Sequence, residues 1–216
     1  SNDRLKALAS AESKIRGQIQ DDLNTKLELA DADLAGFRSG APANFNVNSS
    51  RAWALAAKLI TNNLVTSVNL GLGGFDTHTN QTTNLQPRLE SFDHNLSSFM
   101  NVLRDAGELD KTLIVVFSDF GRTPKINNSN GRDHWPVGGA FLIGGGLQGG
   151  RAVGDTDSNL NGVMTNATSG VADDGGTQLN ATHLGGSVLE LTLGANYLQY
   201  RSYLKSLGAL TKLKGT

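Results

Sequence analysis

One stretch constrains the fold more than any other: TLIVVF, Thr112–Phe117, a continuous apolar run closed on both sides by polar residues. Successive side chains of a strand point to opposite faces, so a half-exposed strand alternates apolar and polar positions. A run without alternation suits a central strand covered on both faces. Two more stretches read as strands: LVTSVNLGL (Leu64–Leu72), which alternates and is rich in β-formers, and GAFLIGGG (Gly139–Gly146).

Helical periodicity fills the intervals. Leu5, Leu8, Ile15, Ile19, Leu23 and Leu27 recur at helical steps with charges between them, which predicts one long helix or two short ones from Asp3 to about Leu34. After the polar connection Ser39–Ser50, a helix is predicted over Arg51–Thr61, capped by Ser49 or Ser50. Leu85, Leu89, Phe92, Leu96, Phe99 and Leu103 form one stripe, predicting a helix over Pro87–Leu103 with Gly107 at its exit. Thr182 is placed to cap a last helix ending at Leu193, and Tyr203–Leu210 is weakly helical. Strands alternating with helices predict a largely parallel α/β sheet with helices on both faces. With 216 residues, no internal repeat and no linker, the chain reads as a single α/β domain over residues 1–216.

Composition narrows the chemistry. The formal net charge is −1, which gives no general electrostatic grip on nucleic acid or on an anionic membrane. No apolar stretch approaches the roughly 20 residues that span a bilayer, and no signal peptide opens the chain. There is no cysteine, so disulfides and thiolate metal sites are excluded.

What remains for catalysis or metal binding sits in three clusters. In GGFDTHTNQ, Asp76 and His78 lie two apart, and an extended backbone turns such residues to the same side, where they can share one ion. In SDFGRTP, Asp119 follows the apolar run, where a buried carboxylate needs a partner, and Arg122 offers a planar fork for an oxyanion or carboxylate. In NGRDHWP, a turn at Asn130–Gly131 brings Arg132, Asp133 and His134 together. In a parallel sheet, clusters that follow strands would line its carboxyl edge, where open α/β folds place ligands. Carboxylates and imidazoles without thiols suit zinc, manganese or iron. Outside the clusters, His94 reads as a solvated helix residue, His183 as a capping-region histidine or a ligand, and Asp155 with Asp157 as a turn or a calcium pair.

GGFDTHTNQ, TLIVVFSDFGRTPKINNSNGRDHWP and GGLQGGRAVGDTDSN together resemble the domain-of-unknown-function 1501 family, grouped with the alkaline phosphatase and sulfatase-like superfamily. The resemblance covers most of Leu64–Leu193, and the GRTP and GRDHW blocks are its most specific part. It implies a three-layer α/β/α fold with a mostly parallel central sheet, alkaline phosphatase-like, and metal-assisted hydrolysis of a phosphate or sulfate ester. Matched by position, it implies Asp76, His78, Asp119 and His134 as metal ligands, with zinc or manganese as the ion, and Arg122 or Arg132 clamping the oxyanion. The implied partner is a small anionic ester or a sulfated or phosphorylated glycan. It also implies export by a bacterium, to the periplasm or beyond. Two departures stand out: Phe120 occupies the place where superfamily hydrolases carry a histidine, and nothing in Ser1–Ser50 resembles the N-terminal strand that would bear an Asp ligand and lead to the nucleophile. Ser118 and Thr77 are nucleophile candidates by position only. The chain is therefore expected to be the C-terminal portion of a longer protein, with a missing N-terminal segment as a further partner. The alternative is a non-catalytic exported binding or structural protein that retains the fold.

Overall fold

The structure is a computed structural model that describes residues 2–42 and 45–194. The weak helical expectation for residues 203–210 lies outside them. The described chain divides into two compact units: residues up to 75 together with 86–108, and residues 76–85 together with those from 109 onward. No helix among the described residues is long and apolar enough to cross a membrane.

The first unit is helical. The opening amphipathic segment forms two helices, α1 (Asn2–Leu27) and α2 (Asp31–Arg38), broken at Glu28–Ala30. At that break the Asp33 carboxylate accepts from the Ala30 N–H (2.8 Å), and the Lys58 ammonium donates to Asp33 (2.8 Å) and to the Glu28 carbonyl (2.6 Å). Helix α3 (Arg51–Thr61) spans the predicted residues, and Ser50 stands at its N-cap position but makes no capping hydrogen bond with its side chain. A 3-10 turn, Val47–Ser50, leads into it, and the Asn46 side chain caps that turn by accepting from the Asn48 N–H. Helix α4 (Gln81–Asp105) starts earlier than its apolar stripe and carries Pro87 inside it, past the first turn. Gly107, with φ +70°, ends it as expected.

Leu34 and Phe37 of α2, Trp53 of α3, and Leu96, Phe99 and Leu103 of α4 are buried in this unit. Trp53 meets Phe99 edge-on with ring centroids 5.7 Å apart. His94 is half-buried rather than solvated: its Nε2–H donates to the Phe37 carbonyl at 2.8 Å, and Phe45 packs edge-on against its ring.

The second unit corrects the expected fold class. Its strands form only two-stranded antiparallel sheets, and among the described residues there is no parallel central sheet and no three-layer α/β/α arrangement of the alkaline phosphatase-like kind. The apolar run is strand β1 (Leu113–Phe117). Strand β2 (Gly121–Arg122) pairs with β3 (His134–Trp135), and β1 pairs with β4 (Ala140–Gly144) in the register Leu113 to Gly144 through Phe117 to Ala140. The connection explains the direction. Parallel neighbours need a crossover, usually a helix, and the chain from Ser118 to Gly139 carries Gly121, Pro124, Asn130–Gly131 and Pro136, which give turns instead. Nor is β1 covered on both faces, since Phe117 is 68% exposed. Leu64–Leu72, in the first unit, forms no strand, because its alternating pattern finds no ladder partner among the described residues. Strands β5 (Met164–Thr165) and β6 (Thr177–Gln178) form a small ladder, and α5 (Ala181–Leu193) is capped by Asn180, which accepts from the Thr182 N–H.

Candidate metal centre

The second unit gathers Asp76, His78 and His134, three of the four ligands expected, around one point. Two backbone devices achieve this. The first ties the segment after Asp76 to the turn before His134. Arg132 N–H donates to the Thr77 carbonyl (3.1 Å), Asn80 N–H to Ser129 (3.0 Å) and Gln81 N–H to Asn130 (2.8 Å). Asn80 and Asn130 take left-handed conformations with φ +43° and +56°, which asparagine tolerates better than most residues. Gly131 passes so close to His78 that a Cβ there would lie 2.0 Å from the His78 carbonyl carbon and oxygen.

The second device is the β2–β3 ladder. Arg122 and His134 are directly opposed in it, so their side chains leave on the same face. Both reach Asp76 Oδ1: Arg122 through Nη2 in a short ion pair, His134 through Nε2 at 3.1 Å. Gly121, beside Arg122, has no room for a side chain, since a Cβ would meet the Val137 carbonyl oxygen at 1.9 Å.

His78 completes the triad. Its Nε2 lies 3.1 Å from Asp76 Oδ1 and 3.1 Å from His134 Nε2, and its Nδ1 lies 2.8 Å from Asp133 Oδ1. The Arg122 bond, aided by the one from His134, holds the Asp76 carboxyl at about 2, well below its ordinary 3.8. The His78 bond, followed by one from Asn127, lowers Asp133. A carboxylate only accepts, so the hydrogen between His78 and Asp133 belongs to Nδ1. In the neutral ring Nε2 then carries a lone pair, and it faces the lone pairs of Asp76 Oδ1. Arg122 already sets positive charge against Asp76 Oδ1, and a metal ion where the three atoms converge would meet a lone pair from each.

The ligand spacing fits a metal. Zinc bound tetrahedrally at about 2.0–2.1 Å keeps its ligand atoms about 3.3 Å apart, and each of the three separations here is 3.1 Å. The site is open, with the side chains of Asp76, His78 and His134 exposed by 62%, 44% and 50%.

The other expected site residues fall elsewhere. Asp119 is exposed, 3.5 Å from the Ser118 hydroxyl, and is not part of the ligand group. Arg132 donates through Nη1 to the carbonyls of Thr123 (2.6 Å) and Pro124, bracing the loop that precedes it. Arg122 lies beside the triad, its Nη2 paired with Asp76 and its Nη1 donating to the Arg132 carbonyl (2.9 Å). Of the two nucleophile candidates, Thr77 is buried and Ser118 is exposed next to Asp119. Phe120 leaves no ligand at its position, but its ring stacks on the His134 imidazole at 3.7 Å and so supports it. His183 bonds to Asn180 at the start of α5 (2.9 Å). Asp157 closes a turn by accepting from the N–H groups of Asn159 and Asn161 (both 2.8 Å).

Two residues that support the site were not singled out from the sequence. In the sequence Asp133 reads only as a neighbour of His134. Asn127 donates through Nδ2 to the His78 carbonyl (3.0 Å) and to Asp133 Oδ1 (3.1 Å), while its own Oδ1 accepts from Ser129 N–H (3.0 Å) and Gly131 N–H (2.9 Å). The available signal was an asparagine just ahead of an Asn-Gly turn, a weak one.

No curated protein and no solved structure matches the chain. The sequence pattern of one family, described as "Protein of unknown function (DUF1501)", matches residues 1–173. The match takes in the helical opening segment, which the GRTP and GRDHW motifs do not reach, as well as the whole ligand triad. The chain belongs to the DUF1501 family.

Proposed function

We propose that the protein binds a divalent metal ion, zinc or manganese, through Asp76, His78 and His134, and hydrolyses an anionic ester of the phosphate or sulfate class there. The observation that carries this reading is the triangle of ligand atoms, 3.1 Å on each side. Three protein ligands with a position left open is the composition of a catalytic rather than a structural zinc site. When bound, the metal supplies Lewis acidity toward an ester oxygen. The chain's own residues do the rest. Arg122 keeps a fixed positive charge beside the triad, which favours an anionic substrate and keeps Asp76 ionised. Phe120 holds the plane of the His134 ring by stacking. Asp133 occupies the far nitrogen of His78.

A second reading, a metal-binding protein without catalysis, is favoured by one observation: Asp119, the carboxylate expected to join the ligands, stands apart from them.

The test is elemental analysis of protein loaded with zinc or manganese and then dialysed, followed by turnover of aryl phosphate and aryl sulfate monoesters. One ion per chain is expected, lost in His78→Ala and His134→Ala, together with ester hydrolysis that those variants lack. Bound metal without turnover leaves the binding reading. Absence of metal overturns both.

A further inference from the structure

We infer that Asp133 is a positioning residue for the metal ligand His78: it selects the ring tautomer that turns the Nε2 lone pair toward Asp76 and His134, and Asn127 holds Asp133 in place to do so. The inference rests on the metal reading above.

An imidazole has two nitrogens, and a neutral ring can offer only the unprotonated one to a metal. In free neutral histidine the proton favours Nε2, which would turn an N–H, not a lone pair, toward Asp76 and His134. Asp133 Oδ1, 2.8 Å from Nδ1, reverses that preference because a carboxylate accepts and cannot donate. The bond also fixes the ring plane, since it anchors the edge opposite the ligand atom. Metal-ligating histidines characteristically donate their second N–H to such a group.

Asn127 makes the arrangement rigid. One side chain grips the His78 backbone carbonyl and the Asp133 carboxylate together, at 3.0 and 3.1 Å, while the amides of Ser129 and Gly131 hold its oxygen. Ligand and positioning group are thereby referred to one fixed point. Thr123 holds Asp133 from the other side: its Oγ1 accepts from the Asp133 N–H (3.1 Å), and its N–H donates to the Asp133 carbonyl (2.9 Å).

The test reads the tautomer directly. In metal-free protein labelled with 15N-histidine, long-range proton–nitrogen correlation distinguishes a protonated ring nitrogen from a bare one. At pH 8, His78 in the wild type is expected to carry its proton on Nδ1 alone. Asp133→Ala is expected to move it to Nε2 and to weaken zinc binding about 10- to 100-fold, the usual cost of losing an outer-shell partner. Asp133→Asn, whose amide oxygen still accepts, is expected to keep the tautomer and lose less affinity, which a merely structural role would not produce. It also keeps the question answerable if the alanine variant does not fold. Asp174→Ala removes an exposed carboxylate from the same unit and is expected to change neither readout. A wild-type His78 protonated on Nε2, or an Asp133→Ala variant with the wild-type tautomer and zinc affinity, overturns the role of Asp133. Wild-type protein that binds no zinc overturns the metal reading instead, and the tautomer measurement, made without metal, tells the two failures apart.

Discussion

The two units of this chain are held together by different physics. Every buried apolar side chain among the described residues belongs to the helical first unit, from Leu34 and Phe37 to Phe99 and Leu103. The buried polar side chains of the second unit are Thr77, Thr165 and Ser187. In the first, stability comes from apolar surface removed from water, a force without direction. In the second, order comes from hydrogen bonds that link loop to loop, each demanding a donor and an acceptor in one geometry. Sequence changes therefore do harm in different ways in the two units. In the helical unit damage scales with the volume removed. In the site-bearing unit it follows from a lost bond partner, or from one carbon added where only hydrogen fits.

The contrast can be broken experimentally, because the two tryptophans fall one in each unit: Trp53 in the first, Trp135 in the second. The largest effect is expected from Phe37→Ala, which empties a fully buried position. In a variant keeping only Trp53, denaturant unfolding followed by fluorescence should show a loss of about 3–5 kcal/mol. If a variant keeping only Trp135 reports the same loss, the units unfold as one and the contrast falls. Next comes Gly131→Ala, which forces a Cβ into the His78 carbonyl. Titration calorimetry should show zinc binding abolished, while the Trp53 transition moves by less than about 0.5 kcal/mol; retained zinc binding would show that the loop yields more easily than its hydrogen bonds suggest.

The smallest effect sharpens the electrostatics. Asp76 titrates near 2 in the folded protein and near 3.8 ordinarily, chiefly because of Arg122. A depressed carboxylate stabilises the fold above its unfolded value, and that contribution is lost as pH falls from about 4 to about 2. In Arg122→Gln the Asp76 carboxyl carbon, followed by 13C resonance, should titrate closer to 3.8. A midpoint that stays near 2 would shift the cause to His134 and His78.

Legibility in the sequence followed the same division. Arg51–Thr61 and the Leu85–Leu103 stripe could be read because helix formation is local, its period imposed every few residues. TLIVVF could be recognised as a strand, but not its direction, because direction depends on what connects it to Gly139–Gly146. Leu64–Leu72 shows the converse, a strand pattern without a neighbour to pair with. At the site, Asp76, His78 and His134 were legible because few side chain types bind metals and these lay in short, turn-flanked clusters. Asp119 looked equivalent by the same criterion, and only the fold sets it apart. Asn127 and Asp133 were hidden because their role lies in bonds across as many as 55 positions of sequence, such as that between His78 and Asp133. Phe120 read as a missing ligand because stacking leaves no chemical signature in a sequence.

The pairing of Gly121 and Arg122 with Trp135 and His134 is only two residues long on each side. A strand's faces alternate residue by residue, so a slip of one position would point His134 away from Arg122. Natural variants that lengthen or shorten the stretch between Thr123 and Asp133 must therefore absorb the change within the loop itself. Deletions there should be scarce among working copies of the protein.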